Sequence, residues 1–127
     1  MFKLDDKKDY RLLVTRGDRG SIYVTAIDLV NNTPYKFKPD DKVSFVVVPK
    51  GGYTEGAVLR KDVVVTKQSD GVEIPLTSED TKIGDMIDKY VDYWYNVVLN
   101  DDITIIGSDK KGEKIFRLYP EVGEENE

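Results

Sequence analysis

The chain of 127 residues contains no cysteine and no histidine. Without cysteine, neither a disulfide framework nor a thiolate metal site can be built, so the fold draws no support from an oxidising compartment. Without histidine, the commonest general base at neutral pH is missing. Ser-His and Cys-His triads and zinc sites of the usual kind go with it. Long apolar runs are absent too, since nothing approaches the roughly 20 residues that span a bilayer. The first residues, Met1-Phe2-Lys3-Leu4-Asp5-Asp6, lack the apolar stretch and small-residue cleavage site of a signal peptide. Synthesis in the cytoplasm with no membrane insertion is the expectation. Basic residues are in deficit, 19 against 24 acidic ones, for a net charge of -5. Such a field repels phosphate backbones and argues against a nucleic-acid partner.

What is present is enough for one packed interior. Hydrophobic residues make up 39% of the chain and charged residues 34%, enough apolar material for a packed interior and far more than a disordered tail would carry. The length falls well short of the size at which a single core stops growing. A single domain over 1–120 is expected, followed by an acidic tail over 121–127, Glu121-Val122-Gly123-Glu124-Glu125-Asn126-Glu127.

Extended segments separated by turn residues dominate. Tyr10 to Thr15 ends at Arg16-Gly17-Asp18-Arg19-Gly20, after which Ile22, Val24 and Ala26 alternate against Tyr23, Thr25 and Ile27. Asn31-Asn32-Thr33-Pro34 and Pro39-Asp40-Asp41 are turn clusters. Between Lys42 and Val48, the side chains of Val43, Phe45 and Val47 share one face. Asp62 to Thr66 and Val72 to Leu76 flank Ser69-Asp70-Gly71, a pattern that predicts a hairpin. Val91 to Leu99, Ile103 to Ile106 and Lys114 to Tyr119 are extended again. Only Ser78 to Tyr90 suggests a helix, with Ile83, Met86 and Ile87 at i, i+3 and i+4, and Gly84 limits it to a short one. The expected fold is all-β: an antiparallel β-sandwich, immunoglobulin-like or a related barrel, of seven or eight strands with at most one short helix.

Chemistry-bearing motifs are few. Asp40-Asp41 and Asp101-Asp102 are neighbouring acids, but each pair sits at a turn, where Asp is favoured for local backbone hydrogen bonds. No segment has the ligand spacing of an EF-hand. Gly107 to Lys114 has two glycines at Walker A spacing, yet Glu113 stands where the lysine must follow. It reads as a hairpin loop, and Lys110, Lys111 and Lys114 are offset by Asp109 and Glu113. No catalytic residue, metal or cofactor is expected, and the chain reads as a non-enzyme. Arg16-Gly17-Asp18 spells a known cell-adhesion tripeptide, but Gly17 and Gly20 mark the segment as a turn.

The densest aromatic group is Tyr90, Tyr93, Trp94 and Tyr95. Alternation assigns Tyr93, Tyr95, Val97 and Leu99 to a core face, and Tyr90, Asp92, Trp94 and Asn96 to the other. On that second face Trp94 either caps the core or, with Tyr90, anchors a protein interface, where aromatic hot spots are enriched. A sugar-stacking platform is a third reading.

The order of several short motifs resembles the N-terminal domain of upper baseplate proteins from tailed phages and prophages of Gram-positive bacteria. The residues are Arg16-Gly17-Asp18 with Gly20, Asp41-Lys42-Val43 with Phe45, Ser78-Glu79-Asp80-Thr81, Tyr93 with Tyr95, Val97 and Leu99, Thr104-Ile105-Ile106-Gly107, and Phe116 with Leu118, Pro120 and Glu121. The resemblance implies a structural protein of the virion tail, made in a bacterial cytoplasm, that docks on other baseplate proteins and forms homo-oligomers or mixed complexes. Trp94, Tyr90, Arg16 and Asp18 are the interface candidates. The alternative is a carbohydrate- or cell-surface-binding β-sandwich module. In the family this domain often leads into a linker and distal arm, and Arg19 stands where a small hydroxyl residue is expected.

Overall fold

A computed structural model describes residues 2–5, 11–28, 30–52, 56–84, 89–106 and 114–121. The expected loop at 107–113, Met86 and Ile87 of the expected helix, and the tail from 122 onward lie outside them. The described residues form eleven strands: β1 Phe2–Asp5, β2 Arg11–Thr15, β3 Gly20–Val24, β4 Ile27–Asp28, β5 Thr33–Pro34, β6 Lys42–Pro49, β7 Leu59–Val64, β8 Val72–Leu76, β9 Val91–Leu99, β10 Ile103–Ile106 and β11 Ile115–Tyr119. The fold is all-β and sandwich-like, with open sheets and no helix among the described residues. Around Ser78 the chain makes only turns, with the Thr81 and Lys82 amides donating to the carbonyls of Thr77 and Glu79.

The main sheet runs β1-β2-β11-β9-β6-β7, with β10 added beside β9. It is antiparallel except where β11 lies parallel to β2. β9 is its axis. Residues 93 to 99 pair with β6 on one edge, while on the other Val91 to Trp94 pair with β11 and Val97 to Leu99 with β10. Asn100 and Asp101, at φ 53° and 65°, turn the chain between β9 and β10, in a region that Asn and Asp tolerate best after glycine.

A second layer is the β3-β8 ribbon, in which Ile22 opposes Ile74 and Val24 opposes Val72. Period-two alternation sends Val24, Val72, Ile74 and Leu76 inward, where they meet Val43, Phe45, Val47, Tyr95, Val97, Phe116 and Leu118 of the main sheet. Phe45 stands centrally, its ring 5.7 Å from that of Tyr95 and 6.1 Å from that of Phe116, spacings at which aromatic pairs add to simple burial.

Two expectations are corrected here. Seven or eight strands become eleven among the described residues: Phe2–Asp5 adds a strand beside β2, and the stretch from Ser21 to Val30 divides into β3 and β4, the latter pairing with Thr33 and Pro34 in a small separate ladder. The Asp70-Gly71 hairpin does not form. β7 pairs with β6 and β8 with β3, so this turn carries the chain from one layer to the other. Its backbone is engaged by Phe37, whose N–H and C=O bond Ser69 at 2.8 and 3.0 Å. A local turn signal says that the chain reverses, not which strands become partners.

Candidate functional site

The outward face of β9 and β11 carries the aromatic group. Antiparallel pairing sets Ile115 opposite Trp94 and Arg117 opposite Asp92, so one face reads Tyr90 just before β9, Asp92 and Trp94 on it, and Ile115, Arg117, Tyr119 along β11. Trp94 is only 8% exposed and packs with Val46, Val48, Ala57 and Ile115 in a second, smaller apolar cluster. Alternation divides β9 as the sequence implies, but the second face is closed at its tryptophan. β6 supplies Val46 and Val48 there as well as Val43, Phe45 and Val47 on the inner side.

Towards the start of β9 the same face opens. The Arg117 guanidinium donates from Nε to one Asp92 oxygen at 2.7 Å and from Nη2 to the other at 3.0 Å, the bidentate fork that fixes both side chains. Those bonds push the guanidinium further above its ordinary value. Its carbon lies 4.0 Å from the centre of the Tyr90 ring, a cation–π contact. The Tyr119 ring stands 5.9 Å from that of Tyr90. Tyr90 remains half exposed, at 50%.

Arg16 and Asp18 occupy a different place. The Asp18 N–H donates to the Thr15 carbonyl at 3.0 Å, closing a turn in which Gly17 takes φ 88°, the conformation that favours glycine. Loop 77–84 seals that turn. The Thr81 hydroxyl, fully buried, accepts from the Gly17 N–H at 3.0 Å and donates to the Asp18 carbonyl at 2.7 Å, while Ser78 Oγ donates to the Gly17 carbonyl at 2.6 Å. The Arg16 guanidinium reaches the Gly84 carbonyl at 2.7 Å and is ion-paired with Glu121. Glu121, assigned to the tail from sequence, is thereby anchored. Arg16-Gly17-Asp18 is a fastened turn that joins β2, loop 77–84 and the end of β11, where the Arg16 N–H donates to the Tyr119 carbonyl at 2.9 Å.

Comparisons with protein-family models, curated proteins and solved structures give no match.

The acidic turns meet each other, but as scaffolding. Asp41 accepts from Tyr35 Oη at 2.9 Å, the Lys38 N–H at 2.9 Å and Asn100 Nδ2 at 3.1 Å. Asp101 accepts from Lys42 at 2.7 Å and Arg60 at 2.9 Å. Burial alone would raise the Asp41 pKa, yet these bonds and the Lys38 charge outweigh it and hold the carboxyl below its ordinary value. Among the described residues, no three Asp or Glu side chains converge as metal ligands would.

A surface that sequence reading passed over lies on the far side of the sandwich. Tyr23 on β3, Ile27 on β4 and Val30 in the β4–β5 turn are 65%, 65% and 92% exposed. Ile27 also lines a shallow groove with Ala26, Pro34 and the Lys36–Asp70 ion pair. Tyr23 lies across Gly71, where an added Cβ would fall 2.3 Å from the ring. The alternation of Tyr23, Thr25 and Ile27 against the core face already signalled outward aromatic and aliphatic side chains. Arg117 and Tyr119 were legible only as the outward partners of Phe116 and Leu118, since their meeting with Tyr90 depends on the β9–β11 register.

Proposed function

We propose that this chain is a non-enzymatic structural module of a phage or prophage tail that docks on other virion proteins through the surface of Tyr23, Ile27 and Val30. The observation that carries the reading is the exposure of these three large side chains within eight consecutive residues. Exposed apolar side chains concentrated in one stretch of chain, rather than scattered singly, are a ground for expecting an interaction surface. The tail setting is supported by the ordered motifs of the sequence. Two of them, Arg16-Gly17-Asp18 and Ser78-Glu79-Asp80-Thr81, fasten to each other through Thr81 and Ser78, which gives these short residue sets a shared structural task.

The test is the solution mass by light scattering, alone and mixed with the tail proteins encoded beside it. Self-association or a stable mixed complex is expected. The double change Ile27→Ser with Val30→Ser should abolish it while leaving thermal unfolding within about 0.5 kcal/mol of the parent, as exposed substitutions do. A strictly monomeric chain that binds none of those proteins overturns the reading.

A further inference from the structure

We infer that Tyr90, together with Arg117, Asp92 and Tyr119, forms a contact site for a neutral carbohydrate on the face of the main sheet opposite the proposed docking surface. The inference does not rest on the tail reading, because β9 and β11 carry it with their outward side chains while Tyr23, Ile27 and Val30 belong to segments in and after the ribbon layer.

Three features of the cluster select the ligand class. The first is an open aromatic surface: Tyr90 is half exposed although Arg117 stacks against its ring at 4.0 Å. A sugar ring presents polarised C–H groups that sit well on the electron-rich face of such an aromatic. The second is fixed polarity beside it. The bidentate Arg117–Asp92 pair uses one lone pair of each Asp92 oxygen, and a carboxylate oxygen has another with which to accept from a hydroxyl. The third is charge: Arg117 is already matched by Asp92, and the chain as a whole carries -5. An acidic ligand gains nothing from a neutralised guanidinium, whereas an uncharged polyol meets donors and acceptors without displacing the ion pair.

The site is also ordered before binding. Residues Asp92 and Arg117 face each other in the β9–β11 ladder, and Tyr119 follows Arg117 on the same face with its ring 5.9 Å from Tyr90. Groups held this way lose little conformational freedom when a ligand arrives, which offsets the small area a sugar buries.

The test is titration of the isotope-labelled protein with soluble oligomers of N-acetylglucosamine and of glucose, read by NMR at the Arg117 Nε–H signal and the tyrosine ring signals. Saturable shifts in the millimolar range are expected with at least one oligomer. Tyr90→Ala should weaken binding roughly tenfold, Tyr90→Phe should retain it, and Ile27→Ser with Val30→Ser should leave it unchanged. Absence of shifts with both oligomer series overturns the inference, as does binding that Tyr90→Ala leaves intact. Hexaproline, which also docks on aromatic surfaces, is run in parallel. If it alone shifts these signals, the site takes peptide and the carbohydrate assignment is wrong.

Discussion

On its inner face β6 presents Val43, Phe45 and Val47 to a whole second layer, the β3-β8 ribbon and the segments around it. On its outer face the same strand presents Ser44, Val46 and Val48, equally dry, to a much smaller group built on Trp94, Ala57 and Ile115. The two faces reach the same burial by different means. Inside, many side chains from several strands share the load. Outside, Trp94 stands opposite Val48 and Ile115, and Ser44 is made tolerable by donating to Asp62 at 2.6 Å. A polar group out of water is cheap only when it is bonded. A strand such as Val43 to Val48, apolar at every position but Ser44, reports burial on both sides without saying how much structure stands on each.

The largest effect tests the two faces directly. Phe45→Ala is expected to cost about 4 kcal/mol and Trp94→Ala about 3 kcal/mol in urea unfolding, near the middle and lower end of the range for deleting a buried aromatic. The contrast breaks if Trp94→Ala is nearly silent, which would mean that the outer cluster adds no stability. It also reverses if Trp94→Ala proves the costlier change.

A smaller effect sharpens a second contrast, between apolar and polar means of fastening. Thr81→Val keeps the shape of a fully buried side chain but removes the hydroxyl that serves the Gly17 N–H and the Asp18 carbonyl. A loss of about 1–3 kcal/mol is expected, the cost of leaving buried polar partners unmet. Hydrogen exchange at Gly17 should rise with it; protection unchanged at Gly17 would show that the Arg16 turn holds without Thr81.

The smallest is a matter of pH. The Asp41 carboxyl lies below its ordinary value of 3.8 because the bonds from Lys38, Asn100 and Tyr35 outweigh its burial. A folded-state value below the unfolded one gives stability that is fully present above the unfolded value and is lost as pH falls through the folded value. Asp80, held low against its own burial by Thr77 and Lys61, acts in the same direction. Unfolding midpoints of the parent should therefore decline on the acid side of the carboxylate range, and Asp41→Asn should show a shallower decline from a lower starting point. Parallel curves for the two would assign the acid loss to other groups.

Much of this molecule was written locally. The all-β class, the alternation of Ile22 and Val24 against Tyr23, the inward set Val43, Phe45 and Val47, and the inward set Tyr95, Val97 and Leu99 follow from a period of two that any reader of the chain can see. So does the turn at Arg16-Gly17-Asp18, since glycine and aspartate carry their conformational preferences wherever they stand. Partners were not legible. Nothing near Asp70-Gly71 tells that β7 and β8 part into different layers, nor that β11 runs parallel to β2, nor that Thr81 closes a turn more than sixty residues before it. Only the register of β9 with β11 and β6 buries Trp94 and brings Arg117 and Tyr119 to Tyr90. Alternation is a property of each strand's own backbone, whereas register is chosen by the summed packing of strands far apart in the chain.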